Sequence, residues 1–233
     1  MIYIKPSQLE TIKYTISGIP KLIHRTLLYD DEFPSNILCY LNHFHENYSD
    51  YTIVLWNNQD VIDILNPNEI EIYLNLKKIQ KSDFARLVII RKYGGIYADF
   101  DIEHKSSLSN LIDKIEQTQE GIVFIEHVHR LNKQCNYYKK FKIRNNIPEN
   151  KIRIANYILI FKSNSLFINK CIDLCLQRIH LPITSDYDIL YTTGPDILST
   201  IFASYSNDNL LIISLQEGLE YFVHKCAGHW RKD

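Results

Sequence analysis

A chain of 233 residues, 45% apolar and with a formal net charge of −1, is long enough for one α/β domain with a sizeable core, and its charge gives no support for nucleic-acid binding. Its five cysteines (Cys39, Cys135, Cys171, Cys175 and Cys226) are scattered without a Cys-x-x-Cys, which suits a reducing compartment. No apolar run approaches the roughly 20 residues of a membrane helix, and the opening residues lack the shape of a signal peptide. The expectation is a cytoplasmic protein, with peripheral attachment to a membrane left open.

Residues 1–18 read as a mixed leader and residues 19–233 as a single domain. Ile19 to His24 (Ile-Pro-Lys-Leu-Ile-His) is a short strand. Pro34 and Ser35 open a helix with Ile37, Leu38, Leu41, Phe44 and Tyr48 on its buried stripe. Tyr51 to Trp56, β-branched and aromatic, is a second strand. The polar turn Asn57-Asn58 follows, then two short helices, 60–65 and 68–76, separated by Asn66-Pro67.

The most informative stretch runs from Ile79 to His104. Ser82 is a good helix N-cap, Asp83 complements the positive helix end, and Phe84, Leu87, Val88 and Arg91 mark one helical face. Gly94 and Gly95 stop the helix. The period then becomes two: Ile96, Ala98, Phe100 and Ile102 form a buried set, and Tyr97, Asp99, Asp101 and Glu103 occupy the other face of one strand. Paired carboxylates at the exit of a buried strand need a cation or solvent. Such oxygen ligands suit Mg²⁺ or Mn²⁺ carrying a phosphate-bearing substrate. Taken alone, an Asp-x-Asp is a weak signal that occurs by chance in many chains, and a solvated strand end is its ordinary reading.

Further on, 108–115 reads as a helix and 121–125 as a buried strand. His127 and His129 would share a face beyond it, but no further His or Cys completes a zinc site. Lys133 to Lys151 interleaves six basic residues with Tyr137, Tyr138 and Phe141, which reads as a solvated loop or lid, or as an acceptor-side surface. A strand over 154–161, a helix over 165–179, a helix opened by Thr192-Thr193-Gly194-Pro195-Asp196 and a strand over 209–215 complete an alternation typical of α/β architecture.

The pattern Ser82-Asp83-x-x-Arg86, seven residues, Gly94-Gly95-Ile96-Tyr97-x-Asp99-x-Asp101 resembles the sugar-binding region of the Och1-like glycosyltransferases, family GT32, and their toxin relatives. The resemblance implies a GT-A-type nucleotide-sugar fold, with a mixed central sheet flanked by helices. It implies a metal-dependent, retaining hexosyl transfer from a nucleotide-sugar, a UDP-sugar favoured over GDP-mannose, to a glycan, glycolipid or protein acceptor. Mn²⁺ or Mg²⁺ would be held by Asp101 and His224, with Asp99 on the ribose or reaching the metal through water. Asp83 and Arg86 would position the donor sugar, with Gly95 and Tyr97 beside it. His24, Trp56 and Asn156 match family positions near the donor; a structural histidine, a core tryptophan and a buried amide are the ordinary readings of the same residues. Gly194 of the Thr-Gly-Pro would let the backbone approach a ligand. The tail from Val223 to Trp230 resembles the family's His-x-x-x-Gly-Ser-Trp, with His229 in place of the serine and, with Trp230, near the diphosphate. Many members carry a membrane anchor that this sequence does not show. Two alternatives stay open: a catalytically weak nucleotide-sugar-binding module and a metal-dependent phosphohydrolase.

Overall fold

A computed structural model describes residues 3–28, 48–128, 152–184 and 186–225. The helix expected after Pro34, the basic stretch from Lys133, His129 and the tail residues His229 and Trp230 lie outside the described residues.

An eight-stranded mixed sheet forms the centre. Its strands are β1 (Tyr3–Ile4), β2 (Leu22–Thr26), β3 (Thr52–Trp56), β4 (Gly95–Ala98), β6 (Gly121–Val128), β7 (Ile152–Ile154), β8 (Ile158–Phe161) and β9 (Leu210–Ile213). The order is β1-β3-β2-β4-β8-β6-β7, with β9 also on β6. Strands β1 to β4 pair in parallel, β8 runs antiparallel to both β4 and β6, and β9 is parallel to β6. The chain thus enters the sheet before residue 19, through Tyr3 and Ile4.

Consecutive strand residues feed two different cores. Leu22, Val54, Tyr97, Leu159, Phe161 and Val123 pack on one face; Ile23, Ile53, Ile96, Ile158, Ile160 and Ile122 pack on the other. Strands covered on both faces read as nearly continuous apolar runs, which is why they were legible from composition. The first face is covered by α3 (Lys78–Tyr93) and α5 (Leu166–Arg178), whose Phe84, Leu87, Val88, Phe167 and Cys171 are buried. Leu108, Leu111 and Ile112 of the region around α4 (Ser109–Ile112) cover the second. The remaining helices are α1 (Asn58–Ile62), α2 (Pro67–Leu74), α6 (Asp186–Thr192), α7 (Pro195–Ser204) and α8 (Leu215–Tyr221). No helix among the described residues is long and apolar enough to cross a membrane.

Three expectations need correction. Helix α3 begins at Lys78, because Gln80 Oε1 accepts from the Lys77 amide at 3.2 Å and stabilises the helix start. Ser82 is therefore interior, its hydroxyl turned to Lys78 O at 3.5 Å, and Asp83 lies beyond the reach of the helix end. The strand from Ile96 does not run to Glu103. It ends at Ala98, turns through Asp99, Phe100 and Asp101, and resumes as β5 (Ile102–His104), which pairs antiparallel with β10 (Phe222–His224). Phe100, expected in the buried set, is half-buried in that turn. The strand expected over 154–161 is likewise broken, leaving Asn156 in a bend between β7 and β8.

Candidate active site

The parallel strands β2, β3 and β4 all end on the same side of the sheet, where open α/β sheets bind ligands. The turn after β4 delivers the two aspartates there. Gly94 and Gly95 set this up: both have positive φ (66° and 91°). A Cβ on Gly94 would meet Ser163 N at 2.5 Å, and one on Gly95 would meet Leu22 O at 2.7 Å.

Asp99 faces inward. Its amide donates to Tyr157 O at 2.9 Å. Its Oδ1 accepts from the Tyr97 hydroxyl at 2.8 Å, and its Oδ2 lies 3.5 Å from Arg86 Nη2. The Thr26 hydroxyl lies 2.8 Å from the Tyr97 oxygen; because Tyr97 donates to Asp99, Thr26 donates to Tyr97. Arg86 is the hub. Its Nη1 donates to Asn156 O at 2.8 Å, its Nε to Ser82 O at 3.3 Å, and its Nη2 stands 3.2 Å from Asp83 Oδ1. Its guanidinium also lies over the Tyr97 ring, 5.4 Å from the centroid. Asp83 receives the Asn156 side-chain amide at 3.0 Å and the Thr193 hydroxyl at 3.2 Å.

The charges follow from these partners. Burial pushes the Asp83 carboxyl up to about 6, against the pull of Arg86 and with the push of Asp99. Burial opposes the charge on Arg86, but Asp99 and Asp83 outweigh it and hold the guanidinium cationic. Burial, with Asp101 nearby, also raises Asp99, while Arg86 restrains it.

Asp101 points the other way. Its Oδ1 stands 3.3 Å from His224 Nε2, and both side chains are about one-fifth exposed (20% and 21%). His224 is brought there by the β5–β10 pairing. Its ring stacks on Tyr157 at 3.9 Å between centroids, and the Lys225 amide donates to Asp101 O at 2.9 Å. Burial disfavours the imidazolium, but the bond to Asp101 outweighs it and raises the His224 pKa. A carboxylate oxygen beside an imidazole nitrogen is a donor set that Mn²⁺ or Mg²⁺ would accept in place of the direct contact between them. The carboxylate of Asp99 is turned to Arg86 and Tyr97 instead. Among the described residues no group of three or more His, Cys, Asp or Glu converges on one point.

Other expected site residues sit deeper. His24 and Trp56 are fully buried: the His24 Nε2 proton goes to Gly94 O at 2.9 Å, and Nδ1 accepts from Trp56 Nε1 at 3.1 Å. Burial pushes His24 down to about 4, so it is neutral. Both residues belong to the core behind the site rather than to its open face. Gly194 permits a close backbone approach to Leu190 of α6, whose Cα would lie 2.8 Å from an added Cβ. Asn156 is a buried amide whose side chain donates to Asp83. Sequence reasoning missed Thr193, although it stood inside the Thr-Gly-Pro motif, and missed Tyr157, Thr26 and Arg25, which carry no local signal.

Residues 34–120 match the model of a family described as "Glycosyltransferase sugar-binding region containing DXD motif". Inositol phosphoceramide mannosyltransferase 1 of Schizosaccharomyces pombe is 30% identical over 103 residues, 41% of this chain and 32% of that protein. The chain therefore spans about a third of this relative's length. Among solved structures, PaToxG Glycosyltransferase superposes with a TM-score of 0.53 at 14% identity, covering 79% of this chain and 69% of that one. An active-site mutant of LgtC gives a TM-score of 0.43 at 13% identity, covering 82% and 72%. The turn Asp99-Phe100-Asp101 lies within the matched residues and has the Asp-x-Asp spacing of the motif that names that family, and the α/β fold is similar to the GT-A-type fold of the PaToxG structure.

Proposed function

We propose that the chain is a retaining, metal-dependent glycosyltransferase of the GT32 type, moving a hexose-type sugar from a nucleotide-sugar to an acceptor hydroxyl on a glycan, glycolipid or protein. The observation that carries this reading is the division of labour at the DXD turn: Asp99 bound into the Asp83–Arg86–Asn156 network, and Asp101 set against His224. Asp101 and His224 would hold Mn²⁺ or Mg²⁺, with phosphate oxygens of the donor and water completing the shell. Such an ion, when bound, supplies positive charge for the diphosphate that leaves.

The chain's own residues do the rest. Arg86 is a fixed cation that orients both Asp83 and Asp99. Asp83, with one acceptor site left on Oδ2 after its contacts with Asn156, Arg86 and Thr193, accepts a hydroxyl of the sugar when ionised. No side chain is assigned as general base; the departing phosphate can take the acceptor proton. A UDP-sugar remains the favoured donor, and a relative named for mannose transfer makes GDP-mannose the first competitor to include. Free, buried Cys171 and Cys175 accord with a cytoplasmic setting.

The test is turnover of a panel of UDP- and GDP-sugars with Mn²⁺, with Mg²⁺ and with excess EDTA. The proposal expects ion-dependent release of nucleotide diphosphate and transfer to an added acceptor. Release of inorganic phosphate would indicate a phosphohydrolase, and binding without turnover a sugar-nucleotide module.

A further inference from the structure

We infer that Arg25 is the positioning residue of the DXD turn: a cation buried beneath it that fixes the direction in which each aspartate faces. The inference rests on the reading of Asp101 and His224 as the ion's protein ligands. Arg25 belongs to β2 and is 1% exposed. Its Nη1 donates to Asp99 O at 2.6 Å, and its guanidinium lies over the Phe100 ring, 5.4 Å from the centroid. One side chain thus holds the first and second residues of Asp-x-Asp, and the third is left to face His224.

Other contacts hold the Asp99 amide, the Asp99 carboxylate and Asp101 O, but the Asp99 carbonyl depends on Arg25. The turn's own closing bond, Ile102 N to Asp99 O, is long at 3.3 Å. A charge-assisted bond to the same carbonyl is about twice as strong as a neutral one. Without Arg25 the Asp99 carbonyl keeps, among the described residues, only that long bond, and rotation of the Asp99–Phe100 peptide would swing Asp101 away from His224. The turn projects beyond the end of β4, and a long cationic side chain on the neighbouring strand β2 reaches it. Groups behind a metal ligand typically govern affinity by 10–100-fold.

The experiment compares wild type, Arg25→Met, Arg25→Lys and Phe100→Leu as full chains. Mn²⁺ binding is read by electron paramagnetic resonance of the free ion, alone and with UDP or GDP. Hydrogen exchange of residues 99–102 and unfolding midpoints are read alongside. Arg25→Met is expected to weaken Mn²⁺ binding at least tenfold and to speed exchange in the turn; Arg25→Lys should recover binding to within about threefold of wild type. Phe100→Leu, which leaves the buried charge bonded, should weaken binding by a smaller factor and keep the unfolding midpoint. Unchanged Mn²⁺ binding in a folded Arg25→Met chain overturns the inference. If Arg25→Met does not fold, unchanged binding and exchange in Phe100→Leu overturn it instead. Failure of the wild-type chain to bind Mn²⁺ with either nucleotide would count against the metal-dependent reading itself, a separate outcome.

Discussion

Replacing Arg86 with methionine tests the network at its hub. The Arg86 and Asp83 side chains are each only 5% exposed, so theirs is not the surface ion pair worth about 0.5 kcal/mol that their helical spacing alone allows. Arg86→Met keeps most of the stem and removes the fork. Asp83 then retains neutral donors from Asn156 and Thr193 but no contacting cation, and Asn156 O loses its Arg86 donor. Breaking a buried pair from one side costs about 3–5 kcal/mol. In a domain of this size that corresponds to a fall in Tm of roughly 6–20 °C. The loss should be larger at pH 8 than at pH 5, because burial already pushes Asp83 up to about 6 and protonation relieves the unpaired charge. Asp83→Asn alone should cost less, since Arg86 keeps Asp99. Urea unfolding of both single variants and the double variant at the two pH values gives the coupling. A coupling of about 1–3 kcal/mol is expected. Additivity within about 0.5 kcal/mol, with Arg86→Met within 1 kcal/mol of wild type, would refute the idea of a buried, mutually dependent pair.

Four further outcomes are expected. Asp101→Ala should abolish most ion-dependent turnover while circular dichroism and Tm stay near wild type; full turnover in excess EDTA would contradict it. Asp83 is raised in the fold by burial, with Arg86 opposing and Asp99 adding, so the stability it contributes is present below its ordinary pKa and lost as pH rises through about 6; turnover that needs its ionised form should rise over the same interval, and kinetic pH profiles of wild type and Asp83→Asn decide this. Gly94→Ala forces a side chain into positive φ and against Ser163 N at 2.5 Å, and should cost about 2–5 kcal/mol in denaturant unfolding. The Lys225 and Lys105 amides, bonded to Asp101 O at 2.9 Å and Tyr221 O at 2.8 Å, should exchange slowly in hydrogen-exchange experiments even without nucleotide or ion.

The last of these rests on the β5–β10 pairing, which ties the segment as far as Lys225 to Ile102–His104; three-residue strands have too little periodicity for that pairing to register in the sequence. Elsewhere legibility followed burial. Thr52–Trp56 and Gly121–Phe124 are β-branched and aromatic because both sheet faces are covered, so composition alone marks them. Ser82 misled because a good capping residue also tolerates a helix interior; the real start uses Gln80 reaching back to Lys77, a signature diluted by the lysine at the cap. That Asp83, Arg86 and Asp99 lie together, and Asp101 beside His224, agrees with the motifs in which these residues stand. Arg25, Thr193 and Tyr157 were not legible, because what they do depends on partners distant in the chain.

The β5–β10 ladder also sets a timetable. At about 5–20 residues per second, His224 leaves the ribosome roughly 6–25 s after Asp101. During that interval the nascent chain has its DXD turn but lacks the imidazole that faces it. Under the proposed reading ion capture therefore waits until His224 has been synthesised, and a message cut short before Phe222 yields a chain whose central-sheet strands are all synthesised but whose Asp101–His224 pair is half made.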